Sequence, residues 1–169
     1  MNLPPYPVFP VLQQGSMLLR ELQETDLPEV LEISYFDGKK AADEAEALQM
    51  MHKIAQEYQQ GNGLNWVIVH TATHEIMGTC GFARGFEGGT GEAGCILKEA
   101  FRGKGFMQQA LELICRYGQE EMKLSRIMAI TGQTNSKAQA LLERLHFNKI
   151  KELPEDALEY ELRLPFYRN

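Results

Sequence analysis

From Phe106 onward apolar residues recur at helical spacing, with Met107, Ala110, Leu111, Ile114 and Tyr117 sharing one face. The run just before them, Gly91 to Leu97, is extended and apolar, so the pattern predicts a strand, a glycine turn (FRGKGFM, Phe101 to Met107) and a helix. Upstream, Pro4, Pro5, Pro7 and Pro10 impose an extended lead-in. Met17 to Leu22 reads as a first strand. Asp26 with Pro28 and Glu29 signals a short helix through Val30, Leu31 and Ile33 that breaks near Asp37-Gly38. Ala41, Ala45, Leu48, Met51, Ile54 and Tyr58 predict a second helix from Lys39 to Gln60, with Asp43, Glu44 and Glu46 at its positive end. Leu64 to Thr71 and Glu75 to Arg84 form a hairpin, and Gly85 to Gly91 is an irregular link. Arg126 to Thr131 is a strand, Ser136 to Leu145 a helix, and Phe147 to Leu153 and Leu158 to Leu164 are closing strands. The order β-α-α-β-β-β-α-β-α-β-β predicts an α/β (α+β) fold, a mixed sheet with helices on its faces. With neither repeat nor linker, residues 1–169 are expected to form one domain.

The glycine turn changes this picture from architecture to chemistry. The first N–H groups of a helix lack intrahelical partners and carry partial positive charge, so an anion fits there. Gly103 and Gly105 allow close approach of a phosphate, and Arg102 and Lys104 supply charge around it. The alternative is a tight turn with two solvated basic residues. GxxxxGK[ST] is absent from the chain, and the dinucleotide fingerprint fails at Gln108, where it needs a small residue.

Composition removes other classes. The formal net charge of −6 argues against non-specific nucleic-acid binding and is compatible with a cationic substrate, although solubility explains it equally well. Cys80, Cys95 and Cys115 sit singly in apolar segments and read as buried thiols of a reducing compartment. His52, His70, His74 and His146 show no metal-ligand spacing, so no metal is expected. The proline-broken amino terminus does not resemble a secretory signal and no apolar run reaches membrane-spanning length, so a cytoplasmic protein without membrane contacts is expected.

Three separated segments together resemble the GNAT acetyltransferase superfamily. Arg102-Gly103-Lys104-Gly105-Phe106-Met107 matches its Q/R-x-x-G-x-G/A pyrophosphate motif, with Met107 in place of a small residue. Glu92-Ala93-Gly94-Cys95-Ile96-Leu97 resembles the E-I-G-Y-x-L strand of the branch that acetylates ribosomal-protein amino termini. Asn135 followed by Ala140 to Phe147 is similar to the N-x-x-S/A…L-G-F segment, with His146 replacing the glycine. FPVL at Phe9 to Leu12 and LLREL at Leu18 to Leu22 resemble the start of the same branch.

The resemblance implies a mostly antiparallel GNAT-like sheet and direct attack of an amine on acetyl-CoA in a ternary complex. It assigns cofactor binding to Cys95, Ile96 and Leu97, to Arg102 through Met107, and to Asn135, whose other reading is a helix cap. The amine must arrive neutral, so a carboxylate acting through water is the expected base; Glu92 occupies the family's position, with a solvated or ion-paired strand-end carboxylate as the alternative. The family's hydroxyl donors fall on Ala138 and Leu142, which cannot donate, and Ser136 is the nearest substitute. The implied acceptor is a protein or peptide α-amine, with a polyamine or other small amine as runner-up. A different class, a noncatalytic acyl-CoA sensor, suits the missing hydroxyls. The oligomeric state is left open.

Overall fold

The computed structural model describes residues 1–162, with strands β1 (Leu12–Gln14), β2 (Met17–Arg20), β3 (Tyr35–Phe36), β4 (Lys39–Lys40), β5 (Leu64–His70), β6 (Ile76–Ala83), β7 (Thr90–Leu97), β8 (Arg126–Gly132), β9 (Phe147–Leu153) and β10 (Ala157–Leu162). The helices are α1 (Leu27–Val30), flanked by single 3₁₀ turns, α2 (Glu44–Gln59), α3 (Phe106–Glu120) and α4 (Ser136–Arg144). Residues 163 and 164 of the expected last strand lie outside the described residues.

One sheet organises the molecule, in the order β1-β2-β5-β6-β7-β8-β10-β9. Every pairing in it is antiparallel except β7 with β8. That parallel pair is what α3 makes possible, because parallel neighbours need a crossover connection. Alternation along β5 sends Leu64, Trp66 and Ile68 to the core under α3, where Phe82, Leu97 and Ile114 also lie. Val67 and Val69 point to the opposite face and pack with Val30, Ile33 and Ile76 beneath α1.

Three expectations are corrected. The first strand is a hairpin: Gly15, at φ 56°, turns β1 back onto β2 with Leu12 opposite Leu19. The break at Asp37-Gly38 is itself a hairpin turn, with φ of 53° and 79°, which lets Tyr35 pair with Lys40. Consequently α2 begins at Glu44 rather than at Lys39: Asp43 caps it by accepting the Glu46 N–H at 2.9 Å. Glu46 in turn accepts the Ala42 N–H at 2.7 Å and a Lys39 hydrogen bond at 2.5 Å, tying ribbon to helix. The lead-in is extended as expected; the Asn2 N–H reaches the Met122 carbonyl at 2.9 Å and the Trp66 indole donates to the Pro10 carbonyl at 2.7 Å.

Candidate active site

β7 pairs with β6 along nearly its whole length, from Ala83 opposite Glu92 to Gly78 opposite Leu97. On its other edge it pairs with β8 only from Thr90 to Glu92. Beyond Glu92 the two parallel strands therefore diverge. The Lys98 N–H donates to the Met77 carbonyl at 2.9 Å, which makes that pair a hydrogen-bonded one. By the alternation of an antiparallel ladder, Ile96 and Gly94 also turn their main-chain groups to β6, while Cys95 and Leu97 turn theirs to the open edge. Of the expected run, Cys95 and Leu97 thus leave main-chain groups at the open edge. Ile96 presents its side chain, on the α1 face.

The Leu97 carbonyl accepts from Nε of Arg102 at 3.0 Å. This pins the glycine turn to the end of β7. Gly103 and Gly105 hold φ of 72° and 83°, a conformation that L side chains rarely adopt, and Gly105 is the N-cap of α3. No side chain caps α3, and its first intrahelical bond is Gln109 N–H to Gly105 C=O, at 3.2 Å. The N–H groups at the start of α3 remain for an outside acceptor. Arg102, Gly103, Lys104 and Gly105 are exposed, and Lys104 lies 5.8 Å from the centre of the Phe101 ring. Among the described residues a side chain at Gly103 would meet nothing within 4 Å, so the turn has open space beside it. Phe106 and Met107 are partly buried against the main core.

On the opposite face of the sheet a cleft of about 230 Å³ opens between α1, β3 and α2 above and β5, β6 and β7 below. Glu92, Gly94, Cys95 and Ile96 line it, so it meets the open edge of β7 at those residues. Gly94 is exposed there, and an added Cβ would meet nothing among the described residues within 4 Å. The Glu92 side chain is only 18% exposed and forms a short ion pair with Arg84, which also lies 4.0 Å from Asp37 in the β3–β4 turn. Burial raises the Glu92 carboxyl above the usual carboxylate range, the Arg84 charge and hydrogen bond oppose this, and nearby Glu159 adds to the rise. Glu92 is thus ion-paired, as one of its two readings expects, and it is a carboxylate with raised proton affinity in a cleft wall.

Asn135 caps α4, its side-chain oxygen accepting the Ala138 N–H at 3.1 Å. The residue is exposed, and its amide nitrogen remains available as a donor. Leu142 is buried in the core and Ala138 is partly buried, so neither position brings a donor to the cleft. Burial pushes the Cys95 thiol up to about 12, which leaves it protonated and poorly nucleophilic at neutral pH. Among the described residues no group of His, Cys, Asp and Glu could hold a metal ion, and no helix is long and apolar enough to cross a membrane. Sequence reasoning missed Arg84, Gly94 and the cleft roof. Arg84 becomes visible only through the register that sets Ala83 opposite Glu92.

A family model described as an acetyltransferase (GNAT) domain matches residues 16–148. The chain is 31% identical over 137 residues to the uncharacterized N-acetyltransferase p20 of Bacillus licheniformis, covering 76% of each. It is 28% identical over 151 residues to the uncharacterized N-acetyltransferase YoaA of Bacillus subtilis, covering 84% of this chain and 85% of the relative. Among solved structures, the ribosomal-protein-S5-alanine acetyltransferase of Vibrio fischeri superposes with a TM-score of 0.76 at 18% identity, over 94% of this chain and 99% of that one. The spermidine/spermine N-acetyltransferase SpeG of Vibrio cholerae gives 0.73 at 18% identity, over 87% and 93%.

Proposed function

Because the chain belongs to the GNAT acetyltransferase family, whose members use acetyl-CoA as donor, we propose that it acetylates a primary amine held in the cleft beneath α1 and α2. The observation that carries this reading is the meeting of two features at one strand. The open edge of β7 leads to an uncapped helix start on one side, and the cleft containing Glu92 reaches the same residues from the other. Acetyl-CoA would supply a thioester, whose thiol leaves readily because it titrates near ~8.5.

The residues fit such a ligand. The main chain of Cys95 and Leu97 would hold the pantetheine as an added strand would be held, and the N–H groups beyond Gly105 would hold the pyrophosphate. An N–H at the open edge can also stabilise negative charge developing on the acyl oxygen, worth about 3–4 kcal/mol where single donors have been removed. Glu92 would take the proton of the incoming ammonium, through water, and its raised proton affinity suits that role. Asn135 would add a contact through its amide nitrogen. A peptide or protein α-amine is the favoured acceptor, supported by the motif likeness to the ribosomal-protein branch; the fold likeness to SpeG keeps a polyamine as the second reading.

Cofactor binding is tested by thermal melting with and without acetyl-CoA. Wild type should melt higher with the ligand, and Gly105→Asp, which sets a carboxylate where the pyrophosphate would lie, should show no rise. Equal rises in both proteins would refute the placement. Release of free CoA with an amine separates catalysis from sensing, since a binder releases none.

A further inference from the structure

The cleft wall is chemically one-sided. Above it stand Tyr35, Met51 and Ile54, and below it Ile96, all apolar or aromatic. Its polar groups are neutral, Ser34, Asn65 and Thr79, with Glu92 the one charged side chain among the described lining residues. Ser34 already donates to the Val30 carbonyl at 2.8 Å. Two acids close to Glu92 are engaged elsewhere and do not line the cleft: Asp37 lies 4.0 Å from Arg84 and is 79% exposed, while Glu159 is held by Arg126 at 2.7 Å and Lys151 at 3.3 Å. A cleft of about 230 Å³ is smaller than the ~300–1,000 Å³ of sites that enclose drug-sized ligands. It holds one side chain or one small body, and its single carboxylate is already shared with Arg84.

We infer that the acceptor carries one primary amine on an apolar aliphatic or aromatic body, the amine at Glu92 and the body under α2, and that polyamines are excluded. This rests on the acetyltransferase reading and narrows its substrate class. A second ammonium on a short chain would sit against Met51 and Ile54 without a carboxylate, which a low-dielectric wall penalises heavily. An apolar body there leaves water and gains roughly 10- to 100-fold in affinity over its absence. The chemistry is shared by a free arylalkylamine and by a peptide whose first residue is apolar.

The test is isothermal titration of the CoA-saturated protein with 2-phenylethylamine, ethylamine, 1,4-diaminobutane, and short peptide amides beginning with phenylalanine or glycine. The apolar amine or the phenylalanine peptide should bind at least tenfold tighter than its small counterpart and than the diamine. Tighter binding of the peptide assigns the acceptor to a chain amino terminus, and the reverse to a small amine; either outcome supports the inference. Diamine binding as tight as that of the apolar ligands overturns it, as does the absence of heat with both apolar ligands. Met51→Glu places a second carboxylate in the half-exposed wall and should reverse the order. An acetyl-CoA-induced rise in melting temperature verifies that the variant folds, with Ile54→Glu as the replacement if it does not; an unchanged order in a folded variant refutes the assignment. Binding in the expected order by an amine that releases no CoA from acetyl-CoA in a separate turnover assay would overturn the transfer reaction and leave the cleft's selectivity standing.

Discussion

If Glu92 is the base, Glu92→Gln should lower kcat/KM by about 10²–10⁴, which at ~1.36 kcal/mol per tenfold is about 3–5 kcal/mol of barrier. The deficit must also depend on pH. It should shrink toward the amine's own pKa, near ~8 for a peptide α-amine and ~10.4 for an alkyl amine, because neutral amine then needs no base. It should shrink again at low pH, where wild-type Glu92 is itself protonated and matches the variant. The lower edge lies above the usual carboxylate range, since burial raises Glu92 against the pull of Arg84. Arg84→Gln removes the opposing charge and should move that edge further up. The displacement is modest, because Arg84 is 57% exposed and such pairs contribute only about 0–1 kcal/mol. Stability gives a second readout. A carboxyl whose folded pKa is raised contributes most below its unfolded value, and that contribution is lost as pH rises through the folded one. Glu92→Gln should therefore be at least as stable as wild type at pH 7 by urea unfolding. The assay is free-thiol release with one verified amine from pH 5 to 10 in all three proteins. A deficit that is flat with pH, or an edge that moves down in Arg84→Gln, would place the base elsewhere.

Two further outcomes test what positions the site. Gly78→Ala would bring a Cβ within 2.1 Å of the Ile96 carbonyl and 2.7 Å of the Leu97 side chain, so it should cost about 1–3 kcal/mol in urea unfolding and weaken the acetyl-CoA thermal shift; an unchanged shift would mean that the β6–β7 spacing does not matter. Asp26, which sits just before α1, is raised by burial but lowered on balance by two Arg20 hydrogen bonds and the Gln23 N–H, so its stabilisation is full above the usual Asp value of 3.8 and is lost as pH falls through its lower folded value. Asp26→Asn should cost about 1.5–3 kcal/mol at pH 7 and flatten the acid limb of stability, whereas an acid limb equal to wild type would assign that limb to other carboxylates.

The parts of the site that lie within one continuous segment were legible in the sequence. The strand before the turn, the two glycines and the start of α3 follow from local rules of period and φ, and the observed bounds Thr90–Leu97 and Phe106–Glu120 agree with them. α3 departs from its periodicity in one respect. Glu112 and Cys115, off the expected face, are also buried, and the Gln108 amide donates to Glu112 at 2.9 Å. Helical periodicity marks one buried stripe, not a helix packed on more than one side. Asp37-Gly38 was a hairpin signal read as a helix break, because two-residue strands carry no alternation to count. The cleft was invisible for a stronger reason. Its wall draws on α1, β3, α2 and three strands, and which of their residues face one another depends on register, which no local window contains.

The absent hydroxyl leads to the last expectation. Where a donor is missing, either another side chain protonates the departing thiolate or solvent does. Leu142 is buried in the core, so no small movement of α4 brings its position to the cleft. Ser136 is the remaining hydroxyl in the matching segment; it is exposed in the first turn of α4, and its N–H donates to the Thr134 carbonyl at 3.1 Å. A thiolate with a conjugate acid near ~8.5 is a tolerable leaving group at neutral pH and differs from an alkoxide or amide ion in needing no proton at the moment of departure. General acid catalysis contributes roughly 10²–10⁴ where it operates, so the two cases are far apart. Ser136→Ala should keep kcat within about twofold of wild type, because solvent completes the proton balance. A loss of a hundredfold or more, with an unaltered acetyl-CoA thermal shift, would instead make Ser136 the donor and require α4 to approach β7 when both substrates are bound.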